Sequence, residues 1–234
     1  MTPELDDQAR EGLRRARVAA APGWYSPWLH LASSLGLGGG LALLAVSRLH
    51  RVTAWELGTI PLVFLFCNAV EWKAHKGLLH RRVRYLEAFY DRHTPVHHRI
   101  FLEHDMAIRS PNDFGFVLIP WYGTTAVFAI TLPITAALAW LAGSNVAALF
   151  VATSMAYIVL YECLHLAYHL PRESFIGGLG VIGILRRHHA THHRPALTQA
   201  WNFNVTVPLC DAVMGTRFRE GAAKASPEAG SEQP

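Results

Sequence analysis

Residues 145–170 read NVAALFVATSMAYIVLYECLHLAYHL, and this stretch decides the fold. From Asn145 to Tyr161 it carries no charged residue, close to the ~20 residues that cross a hydrocarbon core as a helix. Glu162, His165 and His169 follow at its end. Residues four apart share a helical face, so His165 and His169 can chelate one ion. A lone pair of this kind is weak evidence for a metal, and its weight depends on the rest of the chain.

Three further apolar segments run from about Leu29 to Val46, from Val52 to Val70 and from Phe114 to Leu141. The third is longer than a span needs, and Pro120 and Pro133 are expected to kink it or to divide off an interfacial piece. Gly36 and the Gly38-Gly39-Gly40 run weaken the first as a helix. Hydrophobic residues make up 51% of the 234-residue chain and charged residues 16%, against a charged share of roughly a quarter in soluble domains. The reading is an all-α fold: a multi-pass transmembrane helical bundle of about four spans with a cytosolic histidine-rich cap. The competing reading is a soluble protein with buried core helices. Residues 1–28 form a basic N-terminal segment, 29–219 the membrane domain, and 220–234 a small, polar tail expected to be disordered.

Orientation comes from the arginines and lysines. Four precede the first segment, eight lie between the second and third, and seven follow the fourth, whereas only Arg48 and Arg51 occupy the opposite loops. Nineteen against two places both termini and the middle loop in the cytosol. The host membrane is the inner membrane in a bacterium or the endoplasmic reticulum in a eukaryote. The N-terminus is charged for too long to read as a cleavable signal peptide. The formal charge of +4 raises nucleic acid as a partner, but no continuous basic face or nucleic-acid motif is present. Cys67, Cys163 and Cys210 lie far apart without CxxC spacing, which argues against a disulfide framework or a thiolate zinc site.

Of the fourteen histidines, ten fall in four groups: His75 and His80; His93, His97 and His98; His165 and His169; and His189, His192 and His193. Each group lies at the cytosolic end of a segment or in a cytosolic loop. Topology and chemistry are read from different residues, yet they agree on one side. His75 and His80 are five apart, about 140° around a regular helix, which suits two different ions or a distorted turn. Adjacent histidines such as His97-His98 and His192-His193 diverge by about 100°, so one of each pair can serve each ion. Ten imidazoles exceed what one ion accepts, so two metals are expected. Imidazole suits iron, zinc, copper and nickel, so the ligands alone do not name the metal. His188 reads as the spare, and His30, His50 and His104 as polar rim residues.

Neutral histidines leave the charge of two cations uncompensated, so nearby acceptors should orient the rings and offset that charge. Glu71, Asp91, Glu162 and Asp211 are the candidates, with Glu162 singled out because it lies three residues before His165. Trp24, Trp28, Trp121 and Tyr122 read as interfacial anchors. The basic N-terminal stretch reads either as a helix on anionic lipid or as a solvated tail.

The order HxxxxH, HxxxHH, HxxxH, HxxHH resembles the fatty acid hydroxylase and sterol desaturase superfamily of integral membrane non-haem di-iron enzymes. The stretch NFNVTVPLCD, Asn202–Asp211, with Gly215-Thr216 beyond it, resembles that family's tail after its last histidines. The likeness spans residues 50 to 216. It implies a cytosolic histidine cage in which two irons, with zinc as a conceivable substitute, activate dioxygen to hydroxylate a lipid C–H bond. The ten grouped histidines are the ligands carried over. Two departures limit it. HTPVHH lacks the glycine that follows the first histidine in fatty acid 2-hydroxylases, and the chain has no room for an attached cytochrome-type domain. Electrons are therefore expected from a separate protein. Desaturation by the same centre, a zinc-dependent membrane hydrolase and a metal transporter remain as alternatives.

Overall fold

In a computed structural model, which describes residues 5–220, the chain is helical and no strand occurs among the described residues. The helices in chain order are α1 (Asp7–Ala19), α2 (Pro27–Val46), α3 (Ala54–Leu57), α4 (Thr59–Ala74), α5 (Glu87–Arg92), α6 (His98–Ile100), α7 (Phe114–Val117), α8 (Trp121–Ala142), α9 (Ser144–His169), α10 (Gly180–His192) and α11 (Leu209–Val213). Two π-helical turns, His75–Leu79 and His93–His97, follow α4 and α5. The expected disordered tail lies, beyond Glu220, outside the described residues.

Four helical segments are long and apolar enough to cross a membrane: Pro27–Val46, Ala54–Leu79, Pro111–Ala142 and Ser144–His169. The second extends nine residues past the expected Val70, because α4 runs on through Glu71 and Lys73 to Ala74 and the π turn continues it to Leu79. Pro120 does divide the third run. Without an N–H it cannot continue a helix, so Leu118 turns extended and α8 restarts at Trp121. Pro133 stays inside α8.

The bundle is organised around α9. Of its apolar window 61% is buried, against 6% for the third span, which faces outward. Met155, Phe150, Val151 and Ala152 of α9 pack with Val63 of α4 and Ala45 of α2. The glycine run in α2 does not break that helix. A Cβ at Gly38 would sit 2.9 Å from Val159 Cγ2, so the missing side chain is what lets α2 approach α9 closely. At the end of the bundle where α9 begins, Asn145 brackets the link after α2. Its Oδ1 accepts from His50 N at 3.0 Å and its Nδ2 donates to His50 O at 2.7 Å.

The cap forms at the other end, where α4 and α9 terminate. Its apolar core is Val96, Ile100, Phe101, Met106 and Val117, with Leu13 of α1 packed against it. Helix α1 is therefore docked on the cap and does not trail in solvent. Asp6 caps it by accepting from Ala9 N at 2.7 Å. Arg14 is buried in an ion pair with the buried Asp113 and stacks 5.1 Å over Phe101, while Arg10 pairs with Asp105 at 2.9 Å. Burying two guanidiniums is tolerable because each has a carboxylate partner.

Candidate metal centre

The structure brings all ten grouped histidines into one buried cluster. One ring nitrogen from each of His75, His80, His93, His98 and His192 lies within 4.8 Å of the others, and so does one from each of His97, His165, His169 and His189. His193 joins the edge of the second group, its Nε2 3.1 Å from the Nε2 atoms of both His97 and His189.

Helix type explains the sorting. Of the two readings of His75 and His80, different ions or a distorted turn, the distorted turn is the one found. The π turn widens the helix to i→i+5 bonding, which brings residues five apart onto one side. Their rings stack at 5.1 Å and 13°. The second π turn does the same for His93 and His98, whose Nε2 atoms are 3.0 Å apart. On regular helix the pairs are four apart: His165 with His169 on α9, and His189 on α10 with His193 at its C-cap. Adjacent histidines split as their divergence predicts, His97 to the second group and His98 to the first.

The rings are oriented by backbone carbonyls. Nδ1 of His75 donates to Phe203 O, and Nδ1 of His192 donates to Trp201 O at 2.7 Å. Nδ1 of His97 donates to Phe116 O at 3.0 Å, that of His169 to Met106 O at 2.7 Å, and that of His193 to Phe101 O at 2.8 Å. A carbonyl only accepts, so each of these rings carries its proton on Nδ1 and leaves Nε2 as a bare lone pair. Thr94 extends the pattern. Its hydroxyl donates to Leu79 O at 2.7 Å, so its oxygen accepts from His80 Nδ1 at 3.2 Å.

The consequence is electrostatic. His80 and His192 point bare Nε2 atoms at each other across 3.0 Å, and His97 and His193 do so across 3.1 Å. Protonating one ring of each pair would relieve the repulsion, but burial opposes it. Burial, with neighbouring imidazoles adding to it, pushes His80 down to about 2. Burial likewise holds His192 at about 4 despite its Trp201 bond, and His97 and His193 well below the usual range. A cation between the rings resolves the conflict. The 3.0–3.3 Å spacing of facing nitrogens suits neighbouring ligands on one ion with bonds of about 2.1 Å. The Nε2 of His169, buried without a hydrogen-bond partner, is a further free donor. The donor set therefore fits two ions of imidazole preference, and it does not name the metal.

The four candidate carboxylates have other jobs, and none accepts from a ring of these ten histidines. Asp91 is exposed and pairs with Arg82 at 3.0 and 3.1 Å on the surface, too far out to reach the rings. Glu162 is fully buried but accepts from Ile119 N at 2.9 Å, fixing the break before α8. Glu71 accepts from Val205 N, from Thr206 N at 3.1 Å, from Thr206 Oγ1 at 2.7 Å and from Tyr157. Asp211 accepts from Phe203 N at 3.0 Å, Asn204 N at 2.8 Å and Thr216 Oγ1 at 2.6 Å. It also holds the spare His188 at 3.0 Å. Burial alone would raise Asp211, but these donors outweigh it and keep the carboxyl below its usual range. Glu71 and Asp211 thus act one step removed, by holding the loop whose carbonyls at Trp201 and Phe203 orient His192 and His75. Each backbone amide left unpaired there would cost about 1–3 kcal/mol.

Asn68 was not anticipated. Buried in an otherwise apolar helix, it donates to Tyr157 at 3.0 Å and to Val207 O at 2.8 Å, and accepts from Cys210 N at 3.0 Å. A lone amide amid apolar residues was the available signal. The carbonyl acceptors left none, since every residue has one. His30, His50 and His104 lie outside both groups. Comparison with protein-family models, with curated proteins and with solved structures finds no match.

Proposed function

We propose that the chain is a membrane-embedded, di-iron, dioxygen-dependent oxidoreductase that hydroxylates a lipid, in the manner of the fatty acid hydroxylase and sterol desaturase superfamily that its histidine order resembles. The observation that carries this reading is the single buried cluster of ten histidines, split into two ligand groups, at one end of four span-length helices. His75, His80, His93, His98 and His192 would hold one iron, and His97, His165, His169, His189 and His193 the other. Two irons held there would supply the activation of dioxygen that insertion of oxygen into an unactivated C–H bond requires.

The protein's own residues supply position and dryness. Bonds from Nδ1 to carbonyls fix five rings, and one to the Thr94 hydroxyl a sixth, with Nε2 inward or toward a neighbour, so the donors are set before any ion arrives. Burial keeps them neutral at physiological pH, the state a ligand needs. The positive-inside bias puts this end in the cytosol, where a separate electron-donor protein can reach it. A zinc-dependent hydrolase would need a carboxylate or similar base free beside the ions. Here both oxygens of Glu71 and of Asp211 are engaged, which favours the oxygenase, while Glu162 holds Ile119 N through Oε2 and keeps a buried, unpartnered Oε1.

The test is metal analysis of detergent-purified protein from iron-supplied cells, beside the double variant His165→Ala, His169→Ala, followed by a search for dioxygen-dependent hydroxylated lipids. About two irons per chain, reduced in the variant, is the expected result. Stoichiometric zinc despite ample iron, or no metal at all, would overturn the proposal.

A further inference from the structure

Outside the histidine cluster, a cleft of about 410 Å³ opens between the N-terminal arm and the cap. Its walls include Arg17, Tyr25, Arg92, Val96, Gly115 and Phe116. None of the ten clustered histidines lines it.

Its charge is unbalanced. Asp91 stands at the rim, but Arg82 already holds it through both oxygens. Among the described residues, neither Arg17 nor Arg92 has a carboxylate within 4.0 Å, whereas Arg10, Arg14 and Arg15 on the same arm do. Arg92 is also held in place, its Nη2 donating to Gly115 O at 2.8 Å. Two uncompensated guanidiniums in one concavity, one of them anchored, suit an anion that can take two-point hydrogen bonds.

Its level is set by the chain itself. Pro22 and Tyr25 line it just before α2 starts at Pro27, and Asn112, Gly115 and Phe116 belong to the start of the third span. Trp24 and Trp28, 82% and 62% exposed, flank it as interfacial aromatics do. The cleft therefore stands where lipid headgroups lie. Its inner wall touches the metal centre: Val96 precedes His97, and Phe116 O accepts from His97 Nδ1 at 3.0 Å.

We propose that this cleft binds the anionic headgroup, phosphate or carboxylate, of a membrane lipid, with Arg17 and Arg92 as its cationic contacts and the chain of the lipid left in the bilayer. As a statement about substrate class this rests on the lipid-hydroxylase reading; as a binding site it needs only the membrane.

The experiment is native mass spectrometry of the full chain in detergent, with phosphatidylglycerol, phosphatidylcholine and inorganic phosphate as probes. Arg17→Ala with Arg92→Ala is compared with Arg82→Ala, an arginine close by but already paired. Phosphatidylglycerol should be retained over phosphatidylcholine, and the double variant should lose about tenfold in retention, the effect of one charge-assisted contact. The Arg82 variant should match the wild type. Because Arg92 also braces Gly115, Arg17→Glu alone, at an exposed position, provides a second reading and should weaken retention in the same direction. Retention of the lipid without phosphate binding gives a membrane source, and phosphate binding that the double variant abolishes gives a shared headgroup chemistry; both support the site. Equal retention of the two lipids, or retention unchanged in both arginine variants, overturns it. The readout needs no iron and no turnover, so failure of the di-iron reading would leave this result standing, and failure here would leave the metal content unchanged.

Discussion

The two halves of the histidine cluster are built on different helices. The first takes two pairs five residues apart from π turns, His75 with His80 and His93 with His98, and adds His192. The second takes pairs four apart from regular helix, His165 with His169 and His189 with the C-cap His193, and adds His97. The same donor geometry is reached by matching helical pitch to ligand spacing. The halves also differ in support. The second is anchored by α9, the most buried helix of the bundle, and by Arg186, which donates to Ala167 O at 2.8 Å and Leu170 O at 3.1 Å. The first leans on the loop after α10, through Phe203 O and Trp201 O, and on Thr94. Pitch should therefore limit the second half, and loop support the first.

The largest effect should follow from changing pitch on α9. One alanine inserted between Leu166 and Ala167 turns its pair into residues five apart on regular helix and swings one ring by about 100°. Metal content should fall by at least one ion per chain, and lost contacts at the helix end should destabilise the fold by roughly 2–4 kcal/mol. Two ions retained on metal analysis would show that the spacing on α9 does not set the second group.

Single-ligand variants test whether the halves are separate. His93→Ala and His189→Ala should each remove about one ion, and absorption or Mössbauer spectra of the remaining iron should differ between them. Loss of both ions from either variant would mean that the ten histidines act as one site.

Acid should act on the fold through both halves, since burial also holds His97 and His193 of the second well below the usual range. In chelated protein, burial holds His80 at about 2 and His192 at about 4, against roughly 6.5 in an unfolded chain. Between these values the unfolded chain binds more protons, so stability is complete above pH about 6.5 and is lost as pH falls toward 4. Melting temperature should drop between about pH 7.5 and 5. A flat profile would contradict the burial of neutral rings.

The smallest effect is expected from Thr94→Val, which removes the acceptor that fixes His80 while keeping the volume. Affinity at the first group should fall about tenfold, the low end for a support of this kind, with the second group unchanged. Competition with a chelator measures it, and equal weakening at both groups would refute the division of support.

Much of this was legible in the residues. Uncharged runs of span length, the one-sided arginines and lysines, and the four histidine groups are local patterns, and each reports on geometry within a single helix or loop. His165 and His169 needed only the helical repeat to be paired, and the divergence of His97 from His98 followed from the same number. Asn68, by contrast, was overlooked although an amide in an apolar run was in plain view.

What the sequence by itself determined is the class of the protein: helices fit to span a membrane, with a histidine cluster at one end. Only the tertiary structure decided which histidines share a group, that α1 packs into the cap through Arg14 and Asp113, and that Glu71, Glu162 and Asp211 brace loops instead of rings. The reason is physical. Periodicity and composition are written locally, but a π turn leaves no distinct pattern of side chains. A backbone carbonyl that orients a ring leaves no mark at all, and its partner can lie a hundred residues away.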